Sequence, residues 1–338
     1  MTPTPIRQHT DPGRRPFCRR QIFRKFLAFL LVSASLSLLY PSADSIQTVS
    51  ASSGSKKKSA PKAPARDNTP QILTPEAPGA IAYANDIVSM DLSNTSRGYM
   101  VLTYTGSNEK VKFQVKDPKG ITCTYLVTAR SEAVVYPLTG GNGSYTFTVF
   151  EAADAAKDLY AVAFTQSADV TLEDEFLPFL TPNVYIDYDA DTKAVAKGAS
   201  LVKKSRSGIE AIEAVYHFVI KNISYDTDKA ENVAYGYIPD VDDTLDTKKG
   251  ICFDYAALMT AMLRSQRIPA RLEVGYAGDA YHAWISCYLE ETGWVDDIIR
   301  FDGKKWSLID PTLAANSRRA SVKDYIGDGS KYTVKYVY

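Results

Sequence analysis

Hydrophobic side chains follow two different periods along the chain. Between about residues 83 and 172, apolar positions alternate with polar ones in three runs, and turn signals such as DPKG and GGNG separate them. The runs are Val111-Phe113-Val115, Cys123-Tyr125-Val127 and Tyr145-Phe147-Val149. Alternation is typical of strands, and several short strands at this spacing predict a β-sandwich.

From residue 208 onward the apolar spacing becomes that of helices and then returns to that of strands. The run GIEAIEAVYHFVIKNI has apolar residues on one helical face, and FDYAALMTAMLRSQ has the Ala, Leu and Met content of a second helix. The runs ARLEVGYA, AYHAWISCYL and WSLI predict strands. We therefore expect an α+β fold, with a β-sandwich over 81–175 and a mixed domain over 185–338. His217, on the first helix, is interpreted as structural.

The N-terminal residues show neither the strand period nor the helix period. A basic stretch ending at Lys25 precedes an apolar run over 26–40, which predicts an export signal over 1–43. As a helix this run spans about 22 Å, less than the ~30 Å hydrocarbon core, which favours cleavage over a retained membrane anchor. The cleavage site stays open between Ala43 and Ala51.

Residues 44–80 are rich in Ser, Lys, Pro and Ala and have almost no aromatic residues. This composition predicts a disordered tether between the export signal and the folded part. The alternative is that its basic side chains contact an anionic wall polymer or a membrane surface. We expect an exported or cell-surface protein that meets the membrane only through its N-terminal segment.

Composition and charge narrow the classes of function. The 338 residues are 45% hydrophobic and 23% charged, as in ordinary globular proteins. The export signal is strongly basic, whereas the region from residue 81 onward is acidic overall, so the folded part lacks the clustered positive charge of a nucleic-acid-binding protein. Three cysteines follow the export signal, and an odd number cannot all pair internally.

Cys252 is the thiol whose position predicts chemistry. It follows Gly250-Ile251 and begins the second predicted helix, where the glycine permits a sharp turn. The free N–H groups and the dipole of a helix N-terminus stabilise a thiolate and can bind a developing oxyanion. The alternative is a small apolar residue at a helix start. Cys123 lies on the apolar side of its strand and is interpreted as an inert thiol.

A thiol nucleophile needs a base and an orienting acceptor. Alternation along AYHAWISCYL puts His282 and Trp284 on one face of the strand and Cys287 on the other, which argues against a zinc site there. Asp310 ends the strand WSLI, and the proline after it favours an extended backbone. The acidic run DVDDTLD lacks EF-hand spacing and is interpreted as a solvated loop. No metal and no other cofactor is predicted.

Four motifs together resemble a transglutaminase-core domain of the bacterial, papain-like type. They are GICFDYAALMTAML, IPARLEVGY, HAW and WSLIDPT, and they fall within residues 208–315. The resemblance implies a papain-like fold for the domain over 185–338. It also implies that Cys252 is the nucleophile, His282 the general base and acid, and Asp310 the group that orients the imidazole.

Substrate contacts are assigned to Tyr281, directly before the histidine, to Trp284, two residues after it, and to Tyr237. The resemblance implies a second oxyanion donor, an aromatic residue upstream of the cysteine. Tyr225, Tyr235 and Tyr237 all qualify for that role, so its identity stays open.

A triad of this kind attacks an amide or ester carbonyl and forms a thioester, which water or an amine then resolves. We expect hydrolysis of a peptide or protein amide, with cell-wall-linked amides among the candidates. The alternatives are a protein-crosslinking transamidase and a catalytically inert surface module for binding or assembly.

Overall fold

The computed structural model describes residues 66–338, apart from 155, 278, 291–292, 296–298, 302–305 and 309–331. The predicted export signal, most of the predicted tether and Asp310 lie outside the described residues. In the described part of the chain, no helix is long and apolar enough to cross a membrane.

Two four-stranded antiparallel sheets form the N-terminal part. The first has the order β1-β2-β3-β6, with strands Ala82–Ala84, Val88–Asp91, Tyr99–Tyr104 and Ala133–Pro137. The second has the order β5-β4-β7-β8, with strands Thr122–Leu126, Val111–Lys116, Gly143–Asp154 and Leu159–Val170. Phe113 of the second sheet lies 4.6 Å from Tyr136 of the first, ring centre to ring centre. The inner faces therefore share one core, and the predicted β-sandwich is confirmed.

Helices dominate the first half of the C-terminal part. They are α1 (Lys193–Val202), α2 (Gly208–Asn222), α3 (Thr227–Asn232), α4 (Val241–Thr247) and α5 (Cys252–Arg264). Helices α1, α2 and α4 pack around α5, in which every residue from Asp254 to Arg264 is buried. Just before α5, strand β10 (Lys249–Gly250) pairs in parallel with β9 (Ser224–Tyr225). Because Ala, Leu and Met favour helices and fill a core, α5 becomes the central helix.

A third four-stranded antiparallel sheet follows α5. Its order is β13-β12-β11-β16, with strands Gly293–Val295, Ala280–Leu289, Ala270–Ala277 and Tyr332–Val337. Two further strands, β14 (Ile299–Phe301) and β15 (Trp306–Leu308), pair with each other. Helix α5 packs against β11 and β12. The helices and strands predicted from periodicity are thus confirmed, and the fold class is α+β.

Residues 66–80 differ from the expected flexible tether. The backbone N–H of Arg66 donates to Arg206 O at 3.2 Å, and that of Gln71 donates to Ser265 O at 2.8 Å. Asn68 Nδ2 donates to a backbone carbonyl at 2.8 Å. Composition does not reveal this docking, because most of these bonds use backbone groups that every sequence carries.

The acidic run DVDDTLD is helix α4 rather than the expected solvated loop. Asp240 Oδ1 accepts the backbone N–H groups of Asp242 and Asp243, each at 2.9 Å, and so caps α4. The Asp242 carboxylate accepts the N–H groups of Lys193 and Ala194 at 3.0 and 2.9 Å and caps α1. Carboxylates are favourable at helix N-termini, which explains why acidic residues cluster here.

The sandwich and the C-terminal part meet at a cluster of aromatic rings. The ring of Tyr185 lies 5.6 Å from Tyr125 of β5, 5.1 Å from Phe253 of α5 and 4.8 Å from Tyr338. The described residues of the sandwich and of the C-terminal part belong to one compact unit, so both parts contribute to a continuous core.

Candidate active site

Cys252 is the first residue of the buried helix α5, as the sequence predicted. Ile251 before it is extended, with φ −93° and ψ 177°. A Cβ atom on Gly250 would lie 2.6 Å from Asp254 Cβ, so this glycine is required by close approach rather than by a left-handed turn. The thiol is partly exposed beside the free N–H groups of the first helical turn.

The other two described thiols, those of Cys123 and Cys287, have raised pKa values. Burial raises the pKa of Cys123 to about 12, and the nearby Asp117 carboxylate adds to the effect. Burial also raises the pKa of Cys287, with Glu273 as the secondary cause. Both thiols stay protonated near neutral pH. Among the described cysteines, only Cys252 lies at a helix N-terminus.

His282 lies near the start of strand β12, paired with Gly275 of β11. Its ring lies 6.4 Å from that of Trp284, with 28° between the two planes. Cys287 belongs to the buried core that also contains Ile285. His282 and Trp284 therefore share one face of the strand, and Cys287 lies on the other, as predicted.

Tyr281 is the exposed aromatic residue of this region. Its side chain is 59% exposed, and its ring lies 5.5 Å from Tyr276 on the paired strand. Burial of its hydroxyl raises the pKa of Tyr281, and neighbouring groups that include Tyr235 and the Cys252 thiol add to the effect. Strand alternation turns Tyr281 and His282 to opposite faces, and the pairing of Cys252 with His282 stays a prediction.

The other two residues assigned to substrate contact are less exposed than Tyr281. Trp284 is only 1% exposed, so it supports the strand from within the protein and does not present a surface to substrate. Tyr237 is half-buried, and its hydroxyl donates to Asp254 Oδ1 at 2.6 Å and accepts from Lys229 Nζ at 2.7 Å. Burial and this bond to the carboxylate raise the pKa of Tyr237 to about 12. Its hydroxyl is engaged with the cysteine helix.

Asp254 is a residue of this region that the sequence reasoning missed. Its fully buried carboxylate accepts the N–H of Ile251 at 2.8 Å and pairs with Lys229 Nζ at 2.8 Å. The pairing balances a negative charge that would otherwise oppose a thiolate two residues away. An acidic residue at the third helical position could have indicated the cap. Nothing in the sequence marks Lys229 as its partner.

In the residues that the structure describes, no three His, Cys, Asp or Glu side chains come together as they would around a metal ion.

Residues 195–296 match the family model described as the transglutaminase-like superfamily. This range contains Cys252 and His282 and ends before Asp310. The chain therefore contains a transglutaminase-like domain, which confirms the resemblance seen in the motifs. The superfamily places the domain in a class of cysteine-dependent acyl-transfer folds.

Individual relatives are distant. The UPF0252 protein MJ1282 of Methanocaldococcus jannaschii is 28% identical over 134 residues, or 36% of this chain, and the chain matches only 37% of that relative's length. A proposed cysteine protease from Cytophaga hutchinsonii has a TM-score of 0.33 and 16% identity over 68% of each chain. Red sea bream transglutaminase has a TM-score of 0.30 and 12% identity, over 64% of this chain and 53% of that one. Such scores are too low to assign a side chain or an activity.

Proposed function

We propose that the protein is an exported cysteine-dependent acyl-transfer enzyme, with Cys252 as nucleophile, His282 as general base and acid, and Asp310 as the group that orients the imidazole. The observation that carries the proposal is the partly exposed Cys252 at the N-terminus of the buried helix α5, within a transglutaminase-like domain. Helix N-termini favour negative charge, both on a thiolate and on an oxyanion.

In the first step His282 removes the thiol proton, and Cys252 Sγ attacks the carbonyl carbon of an amide. The tetrahedral intermediate places its negative oxygen near the free N–H groups of the first turn of α5. Its C–N bond then breaks, His282 returns the proton to the leaving amine, and a thioester on Cys252 remains. Attack by water releases an acid, and attack by an amine gives a new amide.

We favour hydrolysis of a peptide or protein amide, including cell-wall-linked amides, at an exported or surface location. A protein-crosslinking transamidase is the second candidate, because both reactions share the thioester. The export signal predicted over 1–43 and the tether predicted over 44–80 support the location, and the exposed Tyr281 offers a surface for substrate.

Selective alkylation tests the nucleophile. In the chain from residue 66 onward, iodoacetamide at neutral pH should modify Cys252 at least about tenfold faster than Cys123 or Cys287, whose raised pKa values disfavour the thiolate. Peptide mass mapping over time gives the three rates. Slower modification of Cys252 than of Cys123 would refute the assignment and favour an inert surface module.

Acyl trapping tests the reaction. With p-nitrophenyl acetate the chain should release p-nitrophenolate and carry an acetyl group on Cys252. Hydroxylamine should convert that group to a hydroxamate. Replacing Cys252 with Ala should abolish both signals. His282→Ala and Asp310→Ala should each lower turnover by about a thousandfold or more without unfolding the protein. Normal turnover in either variant would remove that residue from the mechanism.

A further inference from the structure

A short loop lies between the β-sandwich and the cysteine helix. Residues 233–237, here called the Tyr235 loop, connect α3 to the segment that precedes α4. The loop contains a hydrogen-bonded turn in which the N–H of Tyr237 donates to Ala234 O at 3.2 Å. Gly236 is the third residue of this turn and has φ +83°, a conformation that favours glycine.

One side of the Tyr235 loop rests on the sandwich. Leu126, half-buried, is the last residue of β5. A Cβ atom on Gly236 would lie 2.4 Å from Leu126 Cδ1 and 2.9 Å from Leu126 Cγ. The loop backbone therefore packs directly on this side chain, and a Cβ atom at residue 236 would force Leu126 or the loop to move.

The other side of the loop is bonded to the cysteine helix. The Tyr237 hydroxyl donates to the buried Asp254 carboxylate, two residues after Cys252. Lys229 Nζ bonds to both groups and lies 4.4 Å from the centre of the Tyr237 ring. Movement of the loop would thus act on the first turn of α5.

Tyr235 comes directly before these two attachments, Gly236 and Tyr237, and is 76% exposed. It also lies within electrostatic reach of Tyr281 and of Tyr185, a member of the ring cluster at the sandwich. A large aromatic residue gains little core stability at this exposure. Its exposed ring therefore sits on a loop that is anchored at the next two residues.

We propose that the β-sandwich positions the acyl-transfer site. Leu126 of the sandwich sets the Tyr235 loop, and the loop fixes the start of the Cys252 helix through Tyr237 and Asp254. Gly236 and Leu126 are thus positioning residues rather than catalytic ones. The inference rests on the proposed role of Cys252, and it gives the sandwich a function at the site in addition to any separate binding or spacing role.

A steric substitution with its own compensation tests the proposal. Gly236→Ala should push the loop away from Leu126 and lower kcat for p-nitrophenyl acetate hydrolysis by about tenfold, with KM changed less than about twofold, because the thiol and its helix are misplaced. Adding Leu126→Ala removes the clashing Cδ1 and Cγ atoms, so the new Cβ at residue 236 can take their place against the loop and most of the lost kcat should return.

The chain offers a matched control. Gly120, in the β4–β5 turn of the sandwich, has the same φ of +83°, but no atom lies within 4 Å of its would-be Cβ. Gly120→Ala should therefore change kcat by less than about twofold, since it carries only the backbone strain. Equal effects of Gly236→Ala and Gly120→Ala, or no recovery in the double variant, would overturn the proposal.

Two further measurements cover the cases in which Gly236→Ala does not fold or the wild type shows no turnover. If Gly236→Ala does not fold by circular dichroism, Tyr237→Phe removes only the hydroxyl that links loop to helix and should lower kcat about fivefold. Unchanged kcat in Tyr237→Phe would overturn the link. If the wild type shows no turnover that depends on Cys252, the proposed function fails. The same variants are then compared by the iodoacetamide rate at Cys252, and equal rates in Gly236→Ala and Gly120→Ala would overturn the positioning role.

Discussion

Two glycines near the candidate site are required by crowding from neighbouring atoms. Gly250 approaches the Asp254 side chain, and Gly275 approaches the backbone of strand β16. Gly275 pairs with His282 across β11 and β12, at a point where the pairing of β11 with β16 shifts by a bulge. A side chain at Gly275 would therefore push β16 away from β11, the strand that pairs with β12 at His282.

We expect Gly275→Ala to lower the free energy of unfolding by about 3 kcal/mol, because its Cβ would lie 2.0 Å from Thr333 O and a backbone atom cannot rotate away. Urea denaturation monitored by tryptophan fluorescence gives the value. Tyr276→Phe, at the next residue, keeps the backbone unchanged and serves as the control. Equal stability of wild type and Gly275→Ala would show that β16 moves at no cost.

At the scale of elements, helix α5 is attached by buried polar groups at both ends. Asp254 holds its first turn, and Arg264 holds its last. The Arg264 guanidinium, 1% exposed, donates to Ala270 O at 3.0 Å, Thr181 O at 2.7 Å and Tyr338 O at 2.8 Å. Burial lowers its pKa to about 10. One planar cation thus joins the helix to three separate segments.

Arg264→Lys should destabilise the protein by about 2 to 4 kcal/mol, because an ammonium on a flexible stem cannot reach three carbonyls in the geometry of a guanidinium. The exposed Arg206, which pairs with Glu210 at 2.9 Å, provides the matched control. Arg206→Lys should leave the free energy of unfolding almost unchanged, because a solvent-exposed ion pair contributes little. Thermal and urea unfolding of both variants make the comparison, and similar losses would contradict the structural role of Arg264.

Periodicity predicted the elements well where one face is buried. The strands over 270–277 and 280–289 follow directly from alternation, and α5 follows from its composition. The contacts of Asp254 with Lys229 and Tyr237 could not be predicted in this way. They join residues distant in sequence through a loop whose path has no period, and local propensity carries no information about such pairs.

At the scale of the whole molecule, buried tyrosines join the sandwich to the transglutaminase-like domain. Burial raises the pKa values of Tyr125, Tyr185 and Tyr338, which meet where the two parts of the chain pack together. Their hydroxyl groups favour the neutral form in the folded state. Folding of both parts is therefore coupled to the protonation of the same cluster.

The free energy of unfolding should fall steeply above about pH 10, the ordinary pKa of tyrosine, because the unfolded chain then loses protons that the folded chain retains. Each such tyrosine contributes a loss of ~1.4 kcal/mol per pH unit. Urea titrations between pH 8 and 12 measure the slope. Tyr185→Phe should make this slope shallower, because it removes one of the buried hydroxyl groups. The same slope in Tyr185→Phe and wild type would contradict this coupling.

The sequence alone determined the α+β class, the β-sandwich, the helix that begins at Cys252 and the strand that carries His282. These features depend on local period, propensity and short motifs, which are written in consecutive residues. Only the tertiary structure decided that Trp284 is buried, that Tyr237 and Lys229 hold Asp254, and that Leu126 supports the loop beside the cysteine helix. Those facts arise from packing between distant segments, where space and charge balance, rather than local pattern, select the partners.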